Sequence, residues 1–183
     1  MNAVHDRLNH CSDWRGCLRV GLQLAGVLGL SACALSPARL VPGAATRQDV
    51  LATLGPPARA WTLPDGGEQL AFTTGPAGYQ TRMVFLAPDG RLIRIEDALR
   101  EPVLDRIEAG MSEDAVLRLV GPPVPEWTAD FEVRREHVLE WRFCSQFSQI
   151  TRFDVLFDRD SGRVRSTLRW VEPCGQEVCY CGH

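Results

Sequence analysis

The chain has 183 residues, 45% hydrophobic and 23% charged, the composition of one or two packed domains and not of a disordered segment. A formal charge of −3 and a pI near 5.8 argue against a general nucleic-acid binder. All 20 basic residues are arginine. Without lysine the chain can hold no Schiff base, P-loop lysine or Ser-Lys pair.

The first 32 residues read as a signal peptide. Arg7, Arg15 and Arg19 give a basic start. The apolar run 20–30 is too short to span a bilayer and fits a signal-peptide core. It ends in Leu30-Ser31-Ala32-Cys33, which resembles the bacterial lipobox. The resemblance implies cleavage before Cys33, diacylation of its thiol and acylation of the new N-terminus, enough lipid (palmitate-type chains) for stable anchoring. Ala34, in place of an aspartate, implies the outer membrane by that family's sorting rule, with the protein facing the periplasm. Residues 33–42 are then a lipidated tether.

The mature chain is organised by a stretch that occurs twice. Val50-Leu51-Ala52-Thr53-Leu54-Gly55-Pro56-Pro57-Ala58-Arg59-Ala60-Trp61-Thr62 returns 66 residues later, from Val116 to Thr128, with seven of thirteen positions identical and no gap. This is an internal repeat. In each copy a short helix opens at Thr46 or Ser112 with acidic residues in its first turn. Gly55 or Gly121 supplies the cap, and Pro56-Pro57 or Pro122-Pro123 forbid continuation. Trp61 and Trp127, six residues past each glycine, are apolar anchors expected to fold back onto the helix. These residues are read as architecture, not chemistry.

Strands are expected over 68–73, 79–86 and 91–96 in the first copy, and over 131–143, 150–157 and 163–171 in the second, with a helical bridge over 97–110. The third strand of copy two alternates Val164, Ser166, Leu168 and Trp170 against Arg163, Arg165, Thr167 and Arg169. The expected fold class is α+β: two tandem helix-helix-three-strand antiparallel units, residues 43–98 and 99–172, followed by a Cys-rich tail, 173–183.

Gly110-Met111-Ser112, Val116-Leu117, Val120-Gly121-Pro122-Pro123, a Trp, three strands and an Asp-Gly turn resemble the SmpA/OmlA (BamE-type) outer-membrane lipoprotein domain. The second copy is the closer match. That family supplies a small subunit of the β-barrel assembly machinery, and its assembly subunit has one copy where this chain has two. A tandem of such units is also similar to the β-lactamase-inhibitor-protein fold. The resemblance implies a non-catalytic scaffold or accessory factor in outer-membrane protein assembly or envelope integrity, with a protein partner in the barrel assembly machinery. The alternative is a binding or inhibitory module for another envelope protein. Fold alone decides neither.

Four cysteines remain beyond Cys33: Cys144, Cys174, Cys179 and Cys181. Their spacing with His183 departs from the paired C-x2-C pattern of common zinc sites, so no metal is assigned. An even number in an oxidising compartment points to disulfides. Cys179 and Cys181 point the same way in a strand, which leaves Cys144 to pair with Cys174, Cys179 or Cys181 and staple the tail to the sheet. Arg152, Arg163, Arg165 and Arg169, with Arg142, are a candidate basic stripe on the outer sheet face, weighed against a solvated face of cross-strand pairs with Glu140 and Asp154. No nucleophile elbow, phosphate loop or convincing carboxylate pair is legible. No enzyme, cofactor, nucleic acid or small-molecule substrate is assigned.

Overall fold

The computed structural model describes residues 40–74 and 78–182; the signal segment and Cys33 lie outside them. In chain order the elements of the first copy are α1 (Arg47–Leu54), β1 (Arg59–Thr62), β2 (Glu68–Thr73), β3 (Thr81–Leu86) and β4 (Leu92–Asp97). A single turn, α2 (Glu101–Leu104), leads to the second copy. That copy has α3 (Glu113–Val120), β5 (Ala129–Phe131), β6 (Glu136–Cys144), β7 (Ile150–Asp158) and β8 (Arg163–Val171). The tail forms β9 (Pro173–Cys174) and β10 (Glu177–Val178).

The fold is mostly β, and this corrects the expected α+β class of helix-helix-three-strand units. Each copy has one eight-residue helix and a four-stranded antiparallel meander, in the orders β1-β2-β3-β4 and β5-β6-β7-β8. The additional strand comes directly after the proline stop. Proline favours extended chain, and the turn closed by Leu63 N–H on the Gly67 carbonyl (2.8 Å) folds Arg59–Thr62 back beside β2. The bridge over 97–110 shortens to one turn because Ala98 and Leu99, adjacent in sequence, are both buried, as extended chain at a core edge allows.

The repeat is structural as well as sequential. Thr46 caps α1 reciprocally with Asp49, and the Ser112 side chain accepts from the Ala115 N–H at 3.3 Å. The cap N–H groups of Gly55 and Gly121 reach the carbonyls of Leu51 and Leu117 at 2.9 and 2.8 Å. The segment before each helix is hydrogen-bonded to the start of the fourth strand: Leu92 N–H to the Ala45 carbonyl and Val164 N–H to the Met111 carbonyl, both 2.8 Å. Each fourth strand then carries one extra residue, Ile93 or Arg165, as a bulge.

Helices this short are not stable alone; packing holds them. Val50 of α1 lies with Leu70, Phe72, Val84, Leu86 and Leu92 on one face of the first sheet. The other face contributes Trp61, Ala71 and Met83 to a second core, around Val116, Leu117 and Val120 of α3. Leu139, Trp141, Phe143, Phe153, Val155 and Phe157 close that core from the second sheet. The layers therefore run α1, first sheet, α3, second sheet. Of the four sheet faces, three carry a helix. Among the described residues, the outer face of the second sheet has none.

Candidate binding surface

The outer face of the second sheet is set by strand register. Glu140 lies opposite Asp154, and Arg142 opposite Arg152. On β8 the bulge at Arg165 reverses the faces: Ser166, Leu168 and Trp170 pair with Leu156, Asp154 and Arg152 and share their face. Leu168 is 55% exposed and Trp170 38%.

The four arginines of the candidate basic stripe are consequently not on one stripe. Arg169 turns to the helix side, where it pairs with Asp105 at 2.7 Å and lies over the Phe153 ring. Arg165, the bulge residue, pairs with Glu136 (3.0 Å) and Asp158 (2.6 Å). Arg163 donates to the Gly110 carbonyl at 3.3 Å, at the joint before α3. Arg152 alone of the four sits at the centre of the outer face.

There it is held on all sides. The Trp127 ring lies 3.7 Å from its Cζ and the Trp170 ring 5.0 Å. Its Nη1 donates to Glu140 at 2.5 Å and its Nε to Glu172 at 3.2 Å. Glu172 also binds Arg142 at 2.9 Å, bridging two like charges that face each other across the strands. The Trp170 indole N–H donates to Asp154 Oδ2 at 3.2 Å. Asp154 Oδ1 is buried with no hydrogen-bond partner. Burial pushes the Glu140 carboxyl above its ordinary range, Arg152 opposes this, and the Asp154 charge adds to it. Burial likewise raises Asp154, against the Trp170 N–H, Glu140 and Arg152. Burial of two carboxyls side by side therefore favours the protonated form of the pair.

The motif residues take different roles in the two copies. Neither Trp folds onto its own helix. Trp61 packs in the core with α3 of the other copy, donating to Asp114 at 3.1 Å, while Trp127 lies on the outer face against Arg152. Pro56 is exposed and Pro57 half-buried. Pro122 and Pro123 wall a cleft of about 450 Å3 with Thr81, Leu99 and Trp141. Trp141 donates to the Gly121 and Pro122 carbonyls at 3.2 and 3.0 Å, satisfying groups left over at the end of α3. His137, the described histidine, is 2.9 Å from Asp130.

All four described cysteines form disulfides. Cys144 joins Cys181 with Cα atoms 6.0 Å apart, and Cys174 joins Cys179 at 5.0 Å. Cys179 bonds through its backbone to Ile150 and Glu172, at 2.8 and 3.1 Å. The tail thus fastens the Glu172 backbone, and Glu172 holds both outer-face arginines. Sequence reasoning expected a disulfide from Cys144 to the tail and arginine pairs with Glu140 and Asp154 on this face, but not Trp127, Trp170 or Glu172; a bulge leaves no mark in composition.

No family model matches the chain, and no curated protein matches it. The comparisons assign it to no family. Among solved structures, an extracellular protein containing a SCP domain from Bacillus anthracis str. Ames aligns at 10% identity and a TM-score of 0.27. The match covers 74% of this chain and 51% of that one, so this chain spans about half of that protein's aligned chain. A likeness of that size carries no argument about fold or function.

Proposed function

We propose that the protein is a lipid-anchored outer-membrane lipoprotein, facing the periplasm, that works by binding and not by catalysis. It acts as a scaffold or accessory factor in outer-membrane protein assembly or envelope integrity. One observation carries the binding reading: among the described residues no helix covers the outer face of the second sheet, which exposes Leu168 and Trp170 beside a charged cluster. Apolar anchors with a polar surround are the anatomy of a protein interface. The lipobox at Cys33 supports the location, and the Gly-Pro-Pro and Trp motif supports a partner in the barrel assembly machinery. That support is from sequence resemblance, since the helix-helix-three-strand unit is not the observed fold.

Crosslinking and pull-down from solubilised outer membranes test it, comparing the wild type with Leu168→Glu/Trp170→Glu. Near-stoichiometric recovery of a barrel-assembly component, lost in the variant, is the expected result. Recovery of no such component, or equal recovery by the variant, overturns it. Cys33→Ser is expected to move the protein from the membrane to the soluble fraction.

A further inference from the structure

Among the described residues, the outer-face cluster holds one more carboxylate than guanidinium group. It contains three carboxylates, Glu140 from β6, Asp154 from β7 and Glu172 after β8, and two guanidinium groups, Arg142 from β6 and Arg152 from β7. The outward positions of β8 that pair with β7 here, Leu168 and Trp170, bring no charge, and neither does Trp127. Glu172 is shared by both arginines and Glu140 is engaged by Arg152. Asp154 is 9% exposed, receives only the neutral Trp170 indole N–H on Oδ2, and has nothing on Oδ1. A buried carboxylate without a cationic partner is expensive unless it is neutralised. In the free protein, burial of the two carboxyls favours the protonated form of the pair and lessens that cost.

A proton is not the only group that can balance the cluster. We propose that this face takes one cationic side chain, an arginine or lysine, of a partner protein, seated on the Glu140–Asp154 pair beside Leu168 and Trp170. Trp170 and Leu168 flank Asp154 from the neighbouring strand and are the exposed apolar groups of the face. They give the incoming side chain a ring to stack on and an apolar rim that excludes water. Trp127 and Glu172 hold Arg152 in place beside the pair. The balance is simple: one proton leaves for solvent and one unit of positive charge arrives, so binding tightens as pH rises. This inference rests on the outer face being the binding face, and adds the chemistry of what binds.

The test uses the full-length purified lipoprotein and the peptide acetyl-Val-Thr-Arg-Thr-Val-amide, with the same peptide carrying neutral citrulline in place of arginine. Calorimetric titration is run at about pH 5, close to the ordinary carboxylate range of about pH 4, and at about pH 8, well above it. The arginine peptide is expected to bind roughly tenfold tighter at the higher pH and to release a proton at the lower one, while the citrulline peptide binds weakly with no pH dependence. Asp154→Asn, and separately Glu140→Gln, should remove the pH dependence. Equal binding of the two peptides, binding of neither, or unchanged pH dependence in both variants overturns the proposal. If the peptides fail while Leu168→Glu/Trp170→Glu still abolishes the pull-down, the binding face stands and its cation chemistry falls. If the arginine peptide binds as expected while the pull-down recovers nothing, the cation site stands and the barrel-assembly partner falls.

Discussion

The indole N–H of Trp61 donates to Asp114 Oδ1 at 3.1 Å, across 53 residues of sequence. It ties the first strand of copy one to the helix of copy two. Trp61 is also buried in the core built around α3. The core around α3 is shared by both copies, so the two are expected to unfold in one transition. Trp61→Ala should destabilise by about 3–5 kcal/mol, as large-to-small core changes do. Chemical denaturation read by tryptophan fluorescence and by circular dichroism should give coincident curves. Two separated transitions would contradict a shared core.

Gly55 and Gly121 are equivalent in sequence and in backbone, with φ of +79° and +80°. Their surroundings differ. A Cβ on Gly55 meets nothing within 4 Å, whereas on Gly121 it would lie 2.7 Å from the Thr81 Cγ2. Gly55→Ala should cost about 1–3 kcal/mol from backbone strain alone. Gly121→Ala should cost about 1–3 kcal/mol more, from overpacking. Thr81→Ser removes the offending methyl, so adding it to Gly121→Ala should recover the extra part, as a double-mutant cycle measures.

The Cys144–Cys181 bridge closes a span of 37 residues and Cys174–Cys179 a span of 5. In the chain-entropy account the longer loop contributes roughly 4 kcal/mol and the shorter roughly 2. Cys144→Ala/Cys181→Ala should therefore lower the denaturation midpoint more than Cys174→Ala/Cys179→Ala. Thiol alkylation of the mature protein under denaturing conditions should label none of these four cysteines before reduction and all four after it.

Two sets of carboxylates give opposite pH dependences. Asp158 is held well below the usual range by the Ser161 backbone N–H, Arg165 and the Ser161 hydroxyl. Asp49 is lowered by Thr46, and Asp114 by Arg118 and Trp61. Their contribution is complete above the ordinary carboxylate range of about pH 4 and is lost as pH falls through the depressed values. Glu140 and Asp154 are raised by burial, so their contribution is complete below that range and declines as pH rises through it. Asp158→Ala should flatten the acid limb of the stability profile, and Asp154→Asn the limb above it. A profile in which Asp154→Asn alters only the acid limb would refute the raised carboxyl pair.

The repeat, its caps and its proline stops were legible because they act locally. Thr46, Gly55, Ser112 and Gly121 do what their own backbones require, and a sequence shows that directly. Strands β3, β7 and β8 were legible from their alternation. The four-residue β1 was not, since Arg59-Ala60-Trp61-Thr62 buries only Trp61 and reads as a loop after two prolines. The bridge 97–110 had helical spacing, but its apolar residues serve a core edge.

For the binding surface, composition named the groups and the fold assigned them. The sequence by itself determined that the motif occurs twice, that four cysteines follow Cys33, and that Glu140, Asp154 and several arginines share the second copy. Only tertiary structure decided that Arg165 is a bulge. That one extra residue sends Arg169 to the helix side and Leu168 and Trp170 outward, since side chains alternate with a period of two. It likewise decided that Trp61 is core while Trp127, its sequence twin, caps Arg152. The physical reason is that the second copy packs against one face of the first. Equivalent residues therefore meet different neighbours, and a repeat is symmetric only until its copies touch.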